Sequence, residues 1–190
     1  SRIMAARGQG GLYLSRSTCI PLQGVTVSRS EGCGEENDVM LKAALQPNIR
    51  EVVLIAHWAR YSESTPYRDP DARNVFITDR QSPEPGIAVA HGVFARGLER
   101  TVAALSRAHK KIVIIAQVPE VAWDIPEAYA RERLRGGGPD LRTSVVDYLQ
   151  RQQFVFNEFE KLRRAYGITI VYPHSQLCAG GFCQVAAGGR

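Results

Sequence analysis

The stretch "REVVLIAHWARY", residues 50–61, sets the reading of the whole chain. Val52 to Ala56 is an unbroken apolar run rich in β-branched residues, the pattern of a strand buried on both faces. It ends abruptly on His57 and Trp58, a polar-aromatic pair. Three further runs have the same look: "GLYL" (11–14), "KIVIIAQV" (111–118) and "ITIVY" (168–172). Between them the apolar spacing changes from strand-like to helical. Val39, Leu41 and Leu45 mark a helix over 35–46. Val89, Val93, Leu98, Val102 and Leu105 mark one over 87–108. Val146, Leu149, Phe156, Phe159 and Leu162 mark one over 143–165, with Gly167 as its stop. Pro126 opens a shorter helix over 124–134.

Alternation of strand and helix predicts a parallel sheet joined by right-handed crossovers. The fold class expected is therefore α/β: a three-layer α/β/α sandwich with a mainly parallel, flavodoxin-like sheet. Such sheets bind ligands beyond the carboxyl ends of their strands. The segments to search are then "SRSTCIPL" (15–22), "HWARYSESTPY" (57–67), "PEVAWDIP" (119–126) and "PHSQLCAGGFC" (173–183). The Ser-, Pro- and Arg-rich segment 59–86 reads as a binding flap. "GGGP" (136–139) reads as a linker.

With 190 residues the chain fits one domain and can bury a core without a metal. No apolar run approaches the roughly 20 residues of a membrane span. The net charge is +5. The arginines are dispersed, and no basic block is interleaved with aromatics, so a nucleic-acid partner is not expected. Anionic glycans or headgroups remain compatible with that charge.

Four cysteines allow three pairings. Neither Cys19 and Cys33 nor Cys178 and Cys183 has C-x2-C spacing, which speaks against zinc. The two glycines inside "CAGGFC" let the backbone turn tightly. Local disulfides 19–33 and 178–183 are therefore expected, and with them an oxidising compartment. Four buried free thiols in a cytosolic protein are the alternative.

Several side chains are candidates for chemistry. Ser15, Ser17 and Thr18 follow the first run, His57 ends the second and His174 follows the fourth; no serine lies in G-x-S-x-G. Trp58 could cover a sugar face or donate through its indole, or cap the core edge. Trp123 has the same two options. His91 and His109 read as helix-surface residues.

In order and spacing, "LYLSRSTCIPL" with "EGC", "REVVLIAHWARY", "KKIVIIAQVPEV" and "GITIVYPHSQLCAGGFC" resemble one family over about residues 11–185. This is the SGNH hydrolase-like domain fused to acyltransferase-3 membrane proteins, which O-acetylate bacterial surface polysaccharides. The resemblance implies a serine acyl-enzyme, with no cofactor, transferring acetyl to a sugar hydroxyl. It implies an acyl donor and a polysaccharide acceptor as partners, an N-terminal membrane acyltransferase domain in the same parent chain, and a periplasmic or extracellular location.

The family's Gly-Asp-Ser and Asp-x-x-His motifs do not occur in these residues; Ser1 precedes Arg2 rather than His. The expectation is a single SGNH-like domain over 1–190 that lacks its serine block and its Asp-His block, so that no catalytic residue lies within the chain and the fragment alone is inactive. His57, where the family more often has arginine, and Trp58 are the expected oxyanion or substrate contacts. A catalytically inactive glycan-binding module and a free carbohydrate esterase are the alternatives.

Overall fold

The computed structural model describes residues 10–68, 72–121, 125–135 and 142–184. In chain order the elements are β1 (Thr26–Val27), α1 (Cys33–Ala44), β2 (Glu51–Ile55), α2 (Trp58–Ser62), β3 (Ile77–Thr78), α3 (Ile87–Arg107) and β4 (Lys111–Ile115). They continue with α4 (Ile125–Leu134), β5 (Thr143–Ser144), α5 (Val145–Tyr166), β6 (Thr169–Val171), α6 (His174–Leu177), β7 (Cys178–Ala179) and β8 (Phe182–Cys183). The linker expected at 136–139 and Trp123 lie outside the described residues.

Three of the four apolar runs form the expected sheet. Its order is β2-β4-β6 and both pairings are parallel. The register sets Val53 beside Val113 and Ile55 beside Ile115, with Ile115 facing Val171 on the other side. Side chains alternate across a strand, so each face of the sheet has its own population. One face presents Leu54, Ile112, Ile114 and Ile168, all buried against the helices in a single core. The opposite face is open: Val53, Ile55 and Val171 are 47%, 62% and 43% exposed.

The long helices follow their apolar stripes. In α3, Ala90, Val93, Phe94, Gly97, Leu98, Thr101, Val102 and Leu105 are buried, the i, i+3, i+4, i+7 pattern of a core-facing helix. In α5 the stripe is Tyr148, Gln152, Val155, Phe159 and Leu162. Ser144 caps the start of α5, accepting from the Asp147 amide. Gly167 ends it in the left-handed conformation at φ 66°, where glycine avoids the Cβ penalty.

The run at 11–14 corrects the sequence reading. It forms no strand, and Leu12, Tyr13 and Leu14 are 62%, 86% and 41% exposed. A strand needs a partner for its backbone groups, and no described strand pairs with this run. The segment after it goes inward instead. Ile20, Leu22, Val25 and Val27 are buried, and β1 pairs antiparallel with β3. The amide nitrogen of Asn37 on α1 donates to the carbonyls of Ile20 and Leu22, at 2.8 and 3.2 Å. The helix α3 crosses this segment very closely at Gly97. A Cβ there would stand 2.5 Å from Val25 Cγ2 and 3.1 Å from Leu22 Cβ, so glycine is required by space rather than by backbone angle.

Asp79 ties β3 to α3. Its side chain is 2% exposed and accepts from Arg96 Nε and Nη2 at 2.9 and 2.8 Å, from Arg100, and from the Gln81 and Ser82 amides. The Arg96 hydrogen bonds hold its pKa down at about 2, outweighing burial. The folded state therefore binds this proton less readily than the unfolded chain does. Asp79 stabilises the fold above pH about 4, and that contribution is lost as pH falls toward 2. Urea unfolding at pH 5 and pH 2 should show an acid loss about 2 kcal/mol larger in the wild type than in Asp79→Asn. Equal acid losses in the two proteins would remove this account of the cluster.

Both expected disulfides are present and no cysteine is free. Cys19–Cys33 joins the buried segment to the start of α1, with Cα atoms 5.5 Å apart. Cys178–Cys183 bridges directly opposed residues of the β7–β8 hairpin. Its turn is Gly180-Gly181, both at positive φ, which the two glycines adopt without steric cost. No helix among the described residues is long and apolar enough to cross a membrane.

Candidate active-site face at the strand ends

The carboxyl ends of β2, β4 and β6 meet at one edge of the molecule, as the parallel topology requires. His57 follows β2 and occupies the N-cap position of α2. Its side chain is exposed and makes no cap bond, so it faces solvent at the mouth of this edge.

Trp58 goes the other way. The ring is fully buried and packs edge-on against Phe94 and Phe159, with centroids 6.3 and 5.4 Å away. Its indole N–H donates to the Ile115 carbonyl at 2.8 Å, at the end of β4. This corrects the expectation that Trp58 contacts a sugar or an oxyanion: its donor is taken and its faces are inside the core. What it does is fix the end of β2 to the end of β4.

Gln117, just beyond β4, extends that link. Its side-chain oxygen accepts from the Ala59 amide at 3.0 Å, and its carbonyl accepts from the Tyr148 hydroxyl at 2.7 Å. Gln117 is 3% exposed, and its amide nitrogen has no partner among the described residues. Glu120 pairs with Arg151 at 3.2 Å, and its carbonyl accepts from Thr143 Oγ1 at 2.8 Å. Arg151 also donates to Thr65, binding the segment after α2 to α5. The sequence marks Gln117 only as the residue where an apolar strand turns polar. Tyr148 and Arg151 give no signal beyond their place on a helix.

His174, at the start of α6, is half-buried among Tyr148, Phe156 and Tyr172, with ring centroids 5.1, 5.9 and 5.8 Å away. Burial lowers its pKa, which keeps the imidazole neutral at neutral pH. Its Nδ1 stands 3.5 Å from the Tyr148 hydroxyl, whose own pKa is pushed up by burial. The Tyr172 phenol is raised to about 12 by burial and by its bond to Glu160.

Ser15, Ser17 and Thr18 are not strand-end residues, because the strand before them does not form. The Thr18 hydroxyl bonds Ser17 O and Ser30 Oγ. Among the described residues no serine or threonine hydroxyl bonds His57 or His174. His91 lies on the surface of α3 as expected, stacked on Phe154 and 3.1 Å from Glu63. His109 is also exposed, just past the end of α3.

The strand-end edge thus offers one exposed imidazole, that of His57, next in the chain to the hydrogen-bonded Trp58 and Ala59, at the end of a parallel sheet where ligands bind in folds of this class. The family model described as the SGNH domain fused to AT3 domains matches residues 1–190, and the chain belongs to that family. The periplasmic domain of the lipopolysaccharide acetyltransferase of Salmonella ser. Paratyphi A is a similar solved structure. It superposes with a TM-score of 0.63 at 13% identity, a likeness of fold. The match covers 98% of this chain and 64% of that one. No curated protein sequence matches the chain.

Proposed function

We propose that these residues are the central part of an extracytoplasmic SGNH-type domain of an O-acyltransferase that acetylates bacterial cell-surface polysaccharide. The observation that carries the reading is the family match over residues 1–190, whose model describes a domain fused to AT3 domains. The two disulfides support it, since such bonds persist in oxidising compartments.

In this reading a serine from outside these residues, its proton taken by a histidine that an aspartate orients, attacks the donor carbonyl, and the bond to the donor's leaving group breaks as that group takes the proton from the histidine. The acyl-enzyme then passes its acetyl group to a sugar hydroxyl. The strand-end face supplies the floor on which that site is assembled. Trp58 and Gln117 hold the ends of β2 and β4 together. His57, exposed at the same edge, donates to the developing oxyanion or to the sugar.

The parent protein, with its membrane domain, is the system in which to test this. Replacing the serine of a flanking Gly-Asp-Ser should abolish polysaccharide acetylation, and His57→Ala should slow it on the order of 10²-fold. Acetylation that survives loss of that serine would overturn the acyl-enzyme reading. A His57→Ala protein with wild-type acetylation would remove only the role of His57.

A further inference from the structure

The net charge of +5 gathers at one end of the domain, where helices finish and strands begin. Three junctions lie there, each running from the last turn of a helix to the first residue of the next strand: 41–51 from α1 to β2, 104–111 from α3 to β4, and 163–169 from α5 to β6. The first holds Lys42 and Arg50, the second Arg107, Lys110 and Lys111, the third Arg163 and Arg164. Against these seven cations stands one carboxylate, Glu51. Of the chain's 24 lysines and arginines and 19 acidic residues, that leaves 17 and 18 for everything else, a charge of −1. Glu99 and Glu160 also reach this end, through Tyr166 and Arg163, and still leave seven cations facing three carboxylates.

Part of this charge serves the fold. A helix end carries partial negative charge and favours nearby cations, which accounts for Lys42, Arg107, Arg163 and Arg164. Lys110 donates to the Gln46 and Ile49 carbonyls, each at 2.7 Å, and Lys111 pairs with Glu51 at 2.7 Å. Yet Lys42, Arg50, Arg107 and Arg164 are exposed and pair with no carboxylate among the described residues. The helices α3 and α5 pack together, which sets Arg107 and the Arg163–Arg164 pair about 10 Å apart. One phosphate cannot meet cations spread over that distance; a layer of lipid phosphates meets them all.

The position favours a bilayer over a substrate. In a parallel sheet, ligands bind at the carboxyl ends of the strands, and these junctions lie at the opposite ends. The five residues of β2 and of β4 put roughly 17 Å of strand between the two. The family model describes a domain fused to AT3 domains, and a membrane domain in the same chain keeps a bilayer at high effective concentration beside this one.

We propose that this cationic end is a docking surface for anionic phospholipid headgroups, which stands the domain on the membrane with its strand-end edge turned away from the bilayer. The proposal rests on the reading that the parent protein carries a membrane domain, but not on the chemistry of acetyl transfer.

The test uses the parent protein reconstituted in vesicles of phosphatidylglycerol or of phosphatidylcholine, both with a quencher attached to some headgroups. A dye is placed on Asn48→Cys, at the cationic end, or on Gln176→Cys, at the strand-end edge; both residues are exposed. Expected with phosphatidylglycerol is quenching at 48 and none at 176. It should vanish in phosphatidylcholine and in about 1 M salt, which screens charges beyond contact. Each cation near an anionic surface is worth about fivefold in docking, so Arg50→Gln, Arg107→Gln and Arg164→Gln combined should lower the docked-to-free ratio on the order of 100-fold. The salt comparison needs no charge variant and decides even if the triple variant fails to fold. Equal quenching at 48 in both lipids would overturn the proposal. So would its absence in phosphatidylglycerol, and a spectral shift at 48 on adding dextran sulfate would then assign this end to an anionic glycan. A parent that acetylates normally without quenching at 48 removes this inference alone. A parent quenched at 48 whose acetylation survives loss of the flanking serine removes the acyl-enzyme reading alone.

Discussion

Trp58→Ala should cost about 4 kcal/mol of stability in chemical unfolding, the largest single-residue effect expected in the chain. The ring is fully buried and meets Phe94 and Phe159 edge-on, so truncation leaves a cavity among aromatics that cannot close it. It also leaves the Ile115 carbonyl without its indole partner. Trp58→Phe separates the two contributions. It keeps most of the packing and loses the N–H, so its cost should be about 1–2 kcal/mol. A loss under 1 kcal/mol for the alanine variant would mean that the indole does not hold β2 to β4. On the function proposed above, the same substitution acts on acetylation only through the placement of His57 and Ala59, since the ring is fully buried.

Removing the Cys19–Cys33 bridge with paired alanines should cost about 3 kcal/mol. The bond closes a sequence separation of 14 residues, and in the chain-entropy account its effect grows with the loop it closes. Cys178–Cys183 closes a separation of only 5 and should contribute less, about 2 kcal/mol. Alanine suits Cys33, which is 1% exposed and would suffer from a buried hydroxyl. Urea unfolding of the two double variants gives the order directly. If loss of the hairpin bridge proves the more damaging, loop entropy is not what these bonds supply.

The sheet was legible in the sequence because its signal is local. Val52–Ile55 and Ile112–Ile115 are continuous apolar runs, Ile168–Val171 is broken only by Thr169, and burial of one face is enough to make them strands. The end of α5 was legible because Gly167 stands there as a stop, whereas Ser144, which caps its start, drew no notice in the sequence. "GLYL" carries the same apolar signal but not the same fate, because pairing depends on an edge that no local pattern reports. The two-residue strands β1 and β3 pair across 52 positions and leave no periodicity to read. At the site, the sequence located His57 and Trp58 at a strand end but could not tell which way each turns. That is decided by α3 and α5, whose Phe94 and Phe159 receive the indole and leave the imidazole outside. The cysteine pairs were legible because each is closed within a short loop.

The contact at Gly97 bears on how this domain can change over generations. Because α3 touches Val25 and Leu22 there without room for a single methyl group, positions 22, 25 and 97 do not vary independently. A lineage that shortens Val25 first makes space for a side chain at 97; one that alters Gly97 first meets a collision. The order of substitutions, and not only their identity, therefore governs which sequences can reach this fold from one another.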